Sequence, residues 1–236
     1  MEEHYFYLPS EYLNQNQFTL SKEESQHCLK SLRGKEGDSL WLLDGQGTAY
    51  EGTISRINGQ SVTGMIQQTY PNYGESDFEI HLAIGLIKGN RMDFVLEKGT
   101  ELGVKSIQPL LLDRCVKNKL NMDRANRIVI SAAKQSGRSF FPHVHDPIDL
   151  THWLDYYRDS HKIVCHISRK KSLLNALGKE RKNCCIMIGP EGDFSERELN
   201  QMAHAQVDFA SLGSRRLRSE TAVLMAISNL NQLMGN

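Results

Sequence analysis

Cys184-Cys185-Ile186-Met187-Ile188-Gly189-Pro190-Glu191-Gly192-Asp193-Phe194-Ser195-Glu196-Arg197-Glu198 is the stretch that decides the fold class. An unbroken apolar run from Cys184 to Ile188 predicts a strand covered on both faces, as in a parallel sheet. Gly189 and Pro190 end it. Ser195 with Glu198 three positions later is a capping box, which predicts a helix running to about Ala205. Strand, turn and capped helix in direct succession is the building unit of an α/β domain.

The same alternation extends in both directions. Strands are expected at 78–86, 107–112, 163–167 and 207–212, and helices at 92–102, 123–135 and 221–233. Ala125, Ile128, Val129, Ala132 and Ala133 form one apolar stripe at helical spacing. Upstream the character changes to β. Runs at 38–43, 49–54 and 61–69 are separated by Asp44-Gly45-Gln46-Gly47 and Asn58-Gly59-Gln60, which suits hairpin turns and a small barrel. A short helix is expected from Ser21 to Leu32, with Ser21 as N-cap and Glu24 at the capping-box position. Tyr70 to Ser76 reads as a linker. The expected domains are therefore a β-barrel over 1–72 and an α/β domain over 73–236.

Composition narrows the class. Of 236 residues, 39% are hydrophobic and 24% charged, which excludes a disordered or fibrous chain. No apolar run approaches the roughly 18 residues of a membrane span. No basic stretch leads into an apolar one at the start, so a secretory signal is not expected. The five cysteines show no C-x-x-C spacing and the nine histidines no ligand pattern. A cytoplasmic protein with reduced thiols and no metal or membrane partner is the expectation. The net charge of zero conceals an asymmetry: residues 1–75 carry 5 Lys/Arg against 10 Asp/Glu, whereas 88–138 carry 11 against 5. The basic segment suits a polyanion or, equally, a solvated surface.

Nucleotide and hydrolase motifs fail. Gly45-x-Gly47 lacks the third glycine of a dinucleotide fingerprint, and Val104 stands where a P-loop needs its second glycine. There is no H-E-x-x-H and no G-x-S-x-G. What remains is the glycine-rich turn quoted above and a second segment, Leu212-Gly213-Ser214-Arg215-Arg216-Leu217-Arg218-Ser219-Glu220-Thr221-Ala222. Each follows a strand and precedes a helix. Glycine there suits either a tight βα turn or a backbone that a ligand approaches closely, and ligands of open α/β sheets bind at that edge.

The pair G-P-E-G-x-F-S-x-x-E and L-G-x-R-x-L-R-x-E-T-A closely resembles the RsmE family of SPOUT-class methyltransferases. Lys88-Gly89-Asn90-Arg91-Met92-Asp93, the run Glu97 to Gly103, Ala132 to Arg138 and His27 to Asp44 are similar to further family segments in the same order. Asp193 departs from the commoner second glycine, Arg216 from an aliphatic position, and Gly99 from a small side chain.

The resemblance implies a PUA- or OB-like RNA-binding barrel and a SPOUT α/β domain with a C-terminal trefoil knot. It implies S-adenosyl-L-methionine as cofactor and methylation of uridine N3 in 16S ribosomal RNA, free or in the assembled small subunit. The rivals are a SPOUT enzyme on another RNA and a noncatalytic RNA-binding assembly factor. Cofactor contacts carried over are His166, Ile188, Gly189, Pro190, Glu191, Gly192, Leu212, Gly213, Leu217, Ser219, Thr221 and Ala222. A homodimer is implied, with the last helix contributing Ala222, Leu224, Met225, Leu230 and Leu233. Uridine N3 must lose its proton to become nucleophilic. Arg218, then Arg138, are the expected cations for the developing charge; Glu220, then Glu191, are the expected bases. RNA contacts are expected from Arg33, Lys88, Arg91, Arg138 and Arg215, while Arg169-Lys170-Lys171 reads as solvated.

Overall fold

The computed structural model describes residues 4–156, 161–169, 171–178 and 182–235. They fall into two units, one of residues 1–75 with 130–141, the other of 76–129 with 142–236. Lys170 lies outside the described residues.

The first unit contains β1 (Tyr5–Tyr7), β2 (Leu13–Asn14), β3 (Gln17–Thr19), α1 (Lys22–Gln26), β4 (Ser39–Leu43), β5 (Thr48–Asn58) and β6 (Ser61–Pro71). These strands form one sheet in the order β1-β4-β5-β6-β3-β2, antiparallel except where β1 joins β4. Alternating residues of the strands bury Phe6, Leu8, Phe18, Leu42, Ile54 and Val62 in one core. Gly64 and Gly52 leave room for Phe18: a Cβ at either would stand 2.4 or 2.7 Å from its ring. Ser21 caps α1 as expected, its Oγ accepting from Glu24 N at 3.2 Å. The Glu24 carboxylate does not complete the capping box; both its oxygens take the Lys134 ammonium, at 2.6 and 2.8 Å.

That pair is one reason residues 130–141 group with the first unit and not with the α/β domain, where 73–236 would put them. A second is Arg138, whose Nη2 and Nε donate to the Glu75 carboxylate at 2.8 and 3.2 Å. The two side chains are 3% and 4% exposed. A third is the main chain, with Ser139 N donating to Tyr73 O and Phe141 N to Gly45 O. Tyr73 in turn stacks on Trp41 with centroids 5.1 Å apart.

The second unit contains β7 (Glu79–Gly85), α2 (Asn90–Glu101), β8 (Val104–Leu111), most of α3 (Met122–Ser136), β9 (His143–Val144), β10 (Ile148–Asp149), α4 (Leu150–Tyr156), β11 (Lys162–Cys165), α5 (Leu173–Leu177), β12 (Asn183–Ile188), α6 (Glu196–His204), β13 (Asp208–Ala210) and α7 (Ser219–Met234). Its sheet runs β10-β8-β7-β12-β11-β13, with β9 beside β8 and every pairing parallel. In β12 every residue after Asn183 is buried, as the apolar run requires of a strand covered on both faces. The capping box is complete: Glu198 N donates to Ser195 Oγ at 3.2 Å and Ser195 N to Glu198 Oε2 at 2.8 Å. Trp153, Leu110, Met187, Phe194 and Met202 share one core cluster.

Since β12 lies between β7 and β11, and β13 on the far side of β11, the loops that follow β11, β12 and β13 emerge side by side. Among the described residues no helix is long and apolar enough to cross a membrane, and no His/Cys/Asp/Glu cluster has the makings of a metal site. Lys171 is not merely solvated: its Nζ donates to Asp208 Oδ1 at 2.6 Å, while Arg169 stacks over the Phe209 ring at 4.3 Å.

Candidate active site

A cavity of about 400 Å³ opens at the carboxyl ends of β11, β12 and β13. That volume lies within the roughly 300–1,000 Å³ of small-molecule sites, and its place is the sheet edge where open α/β folds bind ligands. The loop after β11 contributes Cys165, His166 and Ile167 to its wall; the turn after β12 contributes Ile188, Gly189, Pro190, Glu191 and Asp193. The third loop and the start of α7 contribute Leu212, Gly213, Arg215, Arg216, Leu217, Arg218, Ser219 and Ala222, and Arg91 reaches in from α2.

The turn after β12 is fixed from three sides. Beneath it, Gly85 at the end of β7 lies so close that a Cβ there would stand 2.6 Å from Pro190 Cδ. Within it, Asp193 N donates to Pro190 O at 3.0 Å, and Asp193 takes φ +62°. Aspartate is among the few residues that visit this left-handed region readily, so the turn survives where the resemblance has glycine. Its carboxylate is used as well, with Oδ1 accepting from Phe194 N at 2.9 Å and Oδ2 lying 3.4 Å from His166 Nε2. From the side, the loop after β8 holds on through Arg114 Nη1, which donates to Gly192 O at 2.9 Å. Asp113 there accepts from Ser195 Oγ and Arg197, bonds that hold its carboxyl below the usual range.

Charge on the wall is lopsided. Glu191 Oε1 accepts from Lys88 N and pairs with Arg91 Nη1, both at 3.3 Å. Asp193 faces His166. Arg215, Arg216 and Arg218 are exposed and have no carboxylate partner among the described residues. Arg218 is also the N-cap of the 16-residue α7, so its charge adds to the positive end of the helix dipole. Burial pushes the Cys165 thiol up to about 12, which leaves it protonated and inert.

Of the cofactor contacts named from sequence, His166, Ile188, Gly189, Pro190, Glu191, Leu212, Gly213, Leu217, Ser219 and Ala222 come together on this one wall. Gly192 stands behind it, pressed so closely on Arg114 that a Cβ would lie 2.9 Å from that residue's own Cβ. Thr221 is exposed on the first turn of α7. Glu220, half-buried with an unpartnered buried Oε2, is not part of the wall. Lys88 and Arg33 are exposed, Arg33 with φ +57°.

Arg138 requires a correction. Its guanidinium is spent on Glu75 inside the first unit and is 3% exposed, so it offers no face to RNA or to a reacting base. Cys165, Ile167, Asp193 and Arg216 were not singled out as contacts. Asp193 and Arg216 interrupt the matched segments, and Cys165 and Ile167 flank His166, so widening each match by its neighbours finds them. In the last helix Leu230 is fully buried in its own chain, whereas Ala222, Leu224, Met225 and Leu233 are half-buried.

Known proteins align with this arrangement. Residues 74–231 match the model of an RNA methyltransferase domain and residues 20–66 that of an RNA methyltransferase PUA domain. A ribosomal RNA small subunit methyltransferase E of Buchnera aphidicola (subsp. Schizaphis graminum) is 32% identical, covering 92% of this chain and 91% of its own. The Bacillus subtilis protein of the same name is 28% identical, with 91% and 89% covered. The crystal structure of the Neisseria gonorrhoeae protein of that name, bound to S-adenosyl methionine, is 33% identical and superposes with a TM-score of 0.88 over 98% of both chains. With a family domain across more than half of its length and a relative this similar along nearly all of it, the chain belongs to the ribosomal RNA small subunit methyltransferase E family.

Proposed function

We propose that the protein transfers a methyl group from S-adenosyl-L-methionine to N3 of a uridine in 16S ribosomal RNA. The observation that carries this reading is the convergence of both motif segments on one cavity, lined by apolar residues and glycines together with three arginines that have no carboxylate partner among the described residues. The names of the relatives and the cofactor bound to the Neisseria protein support it.

The cavity suits the cofactor. Ile188, Pro190, Leu212, Leu217 and Ala222 offer apolar surface to a flat, uncharged adenine. Gly213, at φ +116°, leaves open space where a Cβ would be, so a ligand can lie against the backbone. His166 and Ser219 supply polar groups to orient it. When bound, the cofactor supplies an electrophilic methyl on a sulfonium. The residues do the rest. Arg218, at the positive end of α7, faces the negative charge that spreads onto the uracil oxygens as N3 loses its proton. Arg215 and Arg216 beside it hold phosphate or ribose, and Lys88, and separately Arg33 in the first unit, contribute further RNA contacts. The acidic first unit reads the fold of the RNA and does not bind phosphate indiscriminately.

The strand order, with β12 inserted between β7 and β11, supports a trefoil knot in the C-terminal segment. The half-buried apolar residues of α7 support a homodimer, and five free cysteines a cytoplasmic setting. The domain assignment that goes with this reading is RNA recognition by 1–72 and catalysis by 73–236.

Equilibrium binding tests the cofactor half of the reading. Labelled S-adenosylmethionine is expected to saturate at one per chain and to be displaced by S-adenosylhomocysteine. Gly213→Val, which forces an L side chain to a positive φ, is expected to weaken binding by at least about tenfold while the protein stays folded. Folded wild-type protein that binds neither compound contradicts it.

A further inference from the structure

Resting on the reaction just proposed, we infer that Glu191 is the proton acceptor for uridine N3–H. Four side chains on the cavity wall have atoms that could take a proton, and three are excluded by their surroundings. Asp193 has one oxygen on Phe194 N and the other against His166. His166 has Nδ1 at 2.7 Å from Ser168 Oγ and Nε2 at 3.4 Å from Asp193. Cys165 is half-buried, and desolvation holds it as the thiol. Glu220, the stronger candidate from sequence, is not on the wall.

Glu191 is different because its two oxygens have different environments. Oε1 is held by Lys88 N and Arg91 Nη1. Oε2 is shielded from solvent and has no hydrogen-bond partner. A carboxylate oxygen stripped of water and left without a donor is costly, and the cost is recovered when a donor arrives. The backbone beneath is fixed by Pro190 against Gly85, so the group is held in place before any ligand enters. The terminal carboxylate torsion is broad, so Oε2 can turn to meet the substrate as Oε1 gives up its 3.3 Å contacts, with the Arg91 charge still beside the group. In the step, the N3 proton passes to Oε2 and the N3 electron pair forms the new bond to the methyl carbon. The carbon–sulfur bond breaks with its pair remaining on sulfur. The carboxylic acid then returns its proton to water. Arg91 is a positioning residue in this scheme.

The test is the pH–rate profile of Glu191→Gln on small subunits, with affinities for cofactor and RNA measured alongside. At neutral pH kcat is expected to fall about 100-fold or more, the scale of general-base catalysis, with both affinities within about threefold of wild type. The variant's rate is then expected to climb about tenfold per pH unit towards the ionisation of N3 itself, while the wild type stays flat there. RNA containing 5-fluorouridine, whose N3–H is more acidic, is expected to rescue the variant far more than it accelerates the wild type. Glu191→Asp keeps a carboxylate and is expected to be slow without acquiring that steep pH dependence. A kcat within about threefold of wild type overturns the assignment. So does a loss that follows cofactor affinity, or a profile parallel to the wild type. If the wild type methylates a different atom, the reading of the reaction fails first and the assignment with it.

Discussion

Arg218→Ala is expected to lower kcat for methyl transfer by about 100- to 1,000-fold while cofactor affinity changes little. The scale is that of one preorganised donor at a site of developing negative charge, about 3–4 kcal/mol. Arg218 combines three properties that its neighbours share only in part. It lines the cavity, it has no carboxylate to neutralise it among the described residues, and it caps the N-terminus of α7. The effect should fall on kcat because the charge it answers exists only once N3 has given up its proton. Arg218→Lys should recover part of the loss. A variant that keeps more than about a tenth of wild-type kcat would refute this role. The measurement is single-turnover methyl transfer with cofactor titrated separately, so that binding and chemistry are read apart.

Arg138→Ala, by contrast, should act on stability. The Arg138–Glu75 pair is almost wholly buried, and Phe140 N also donates to Glu75 Oε1 at 3.1 Å. Removing one member leaves an uncompensated charge in a dry site, which costs about 3–5 kcal/mol. The expected result is a lower midpoint in urea unfolding for Arg138→Ala or Glu75→Ala. The double variant Arg138→Met with Glu75→Gln should lose much less than the sum, because no charge is then stranded. Activity per folded molecule at low temperature should stay close to wild type. A fall in kcat with unchanged stability would return Arg138 to the reacting centre.

These two arginines also mark what a sequence discloses. Both belong to segments resembling those of one family, and by position alone each suits a cation at the active centre. What separates them is Glu75, which lies 63 residues from Arg138 and forms the buried pair only in the folded chain. The contact between Lys134 and Glu24, 110 residues apart, is hidden in the same way. It explains why the end of an unbroken amphipathic helix belongs to the unit that begins the chain. By contrast β12 and α6 were legible because their signals are local: an apolar run, a glycine-proline stop, and a capping box within four residues. The three-residue β1 has no alternation long enough to read and exists through its parallel register with β4. The short helices α4 and α5 likewise carry too few turns to display a period.

The cavity wall was legible for a different reason. The glycine-rich turn and the arginine segment each carry their own strand end and helix start, so both fall at one sheet edge once the sheet is parallel. Which side chains of that edge face inward was not legible. In a string of letters Glu220 ranks ahead of Glu191 as the base; only the structure puts Glu191 on the wall and Glu220 off it.

The central claim is tested most directly by transfer of labelled methyl from S-adenosylmethionine to small ribosomal subunits lacking modification, followed by nucleoside analysis of the digested RNA. The account predicts that the label appears as N3-methyluridine in 16S ribosomal RNA, at a level approaching one per subunit. Label in another nucleoside, or none from protein that demonstrably binds the cofactor, would contradict it.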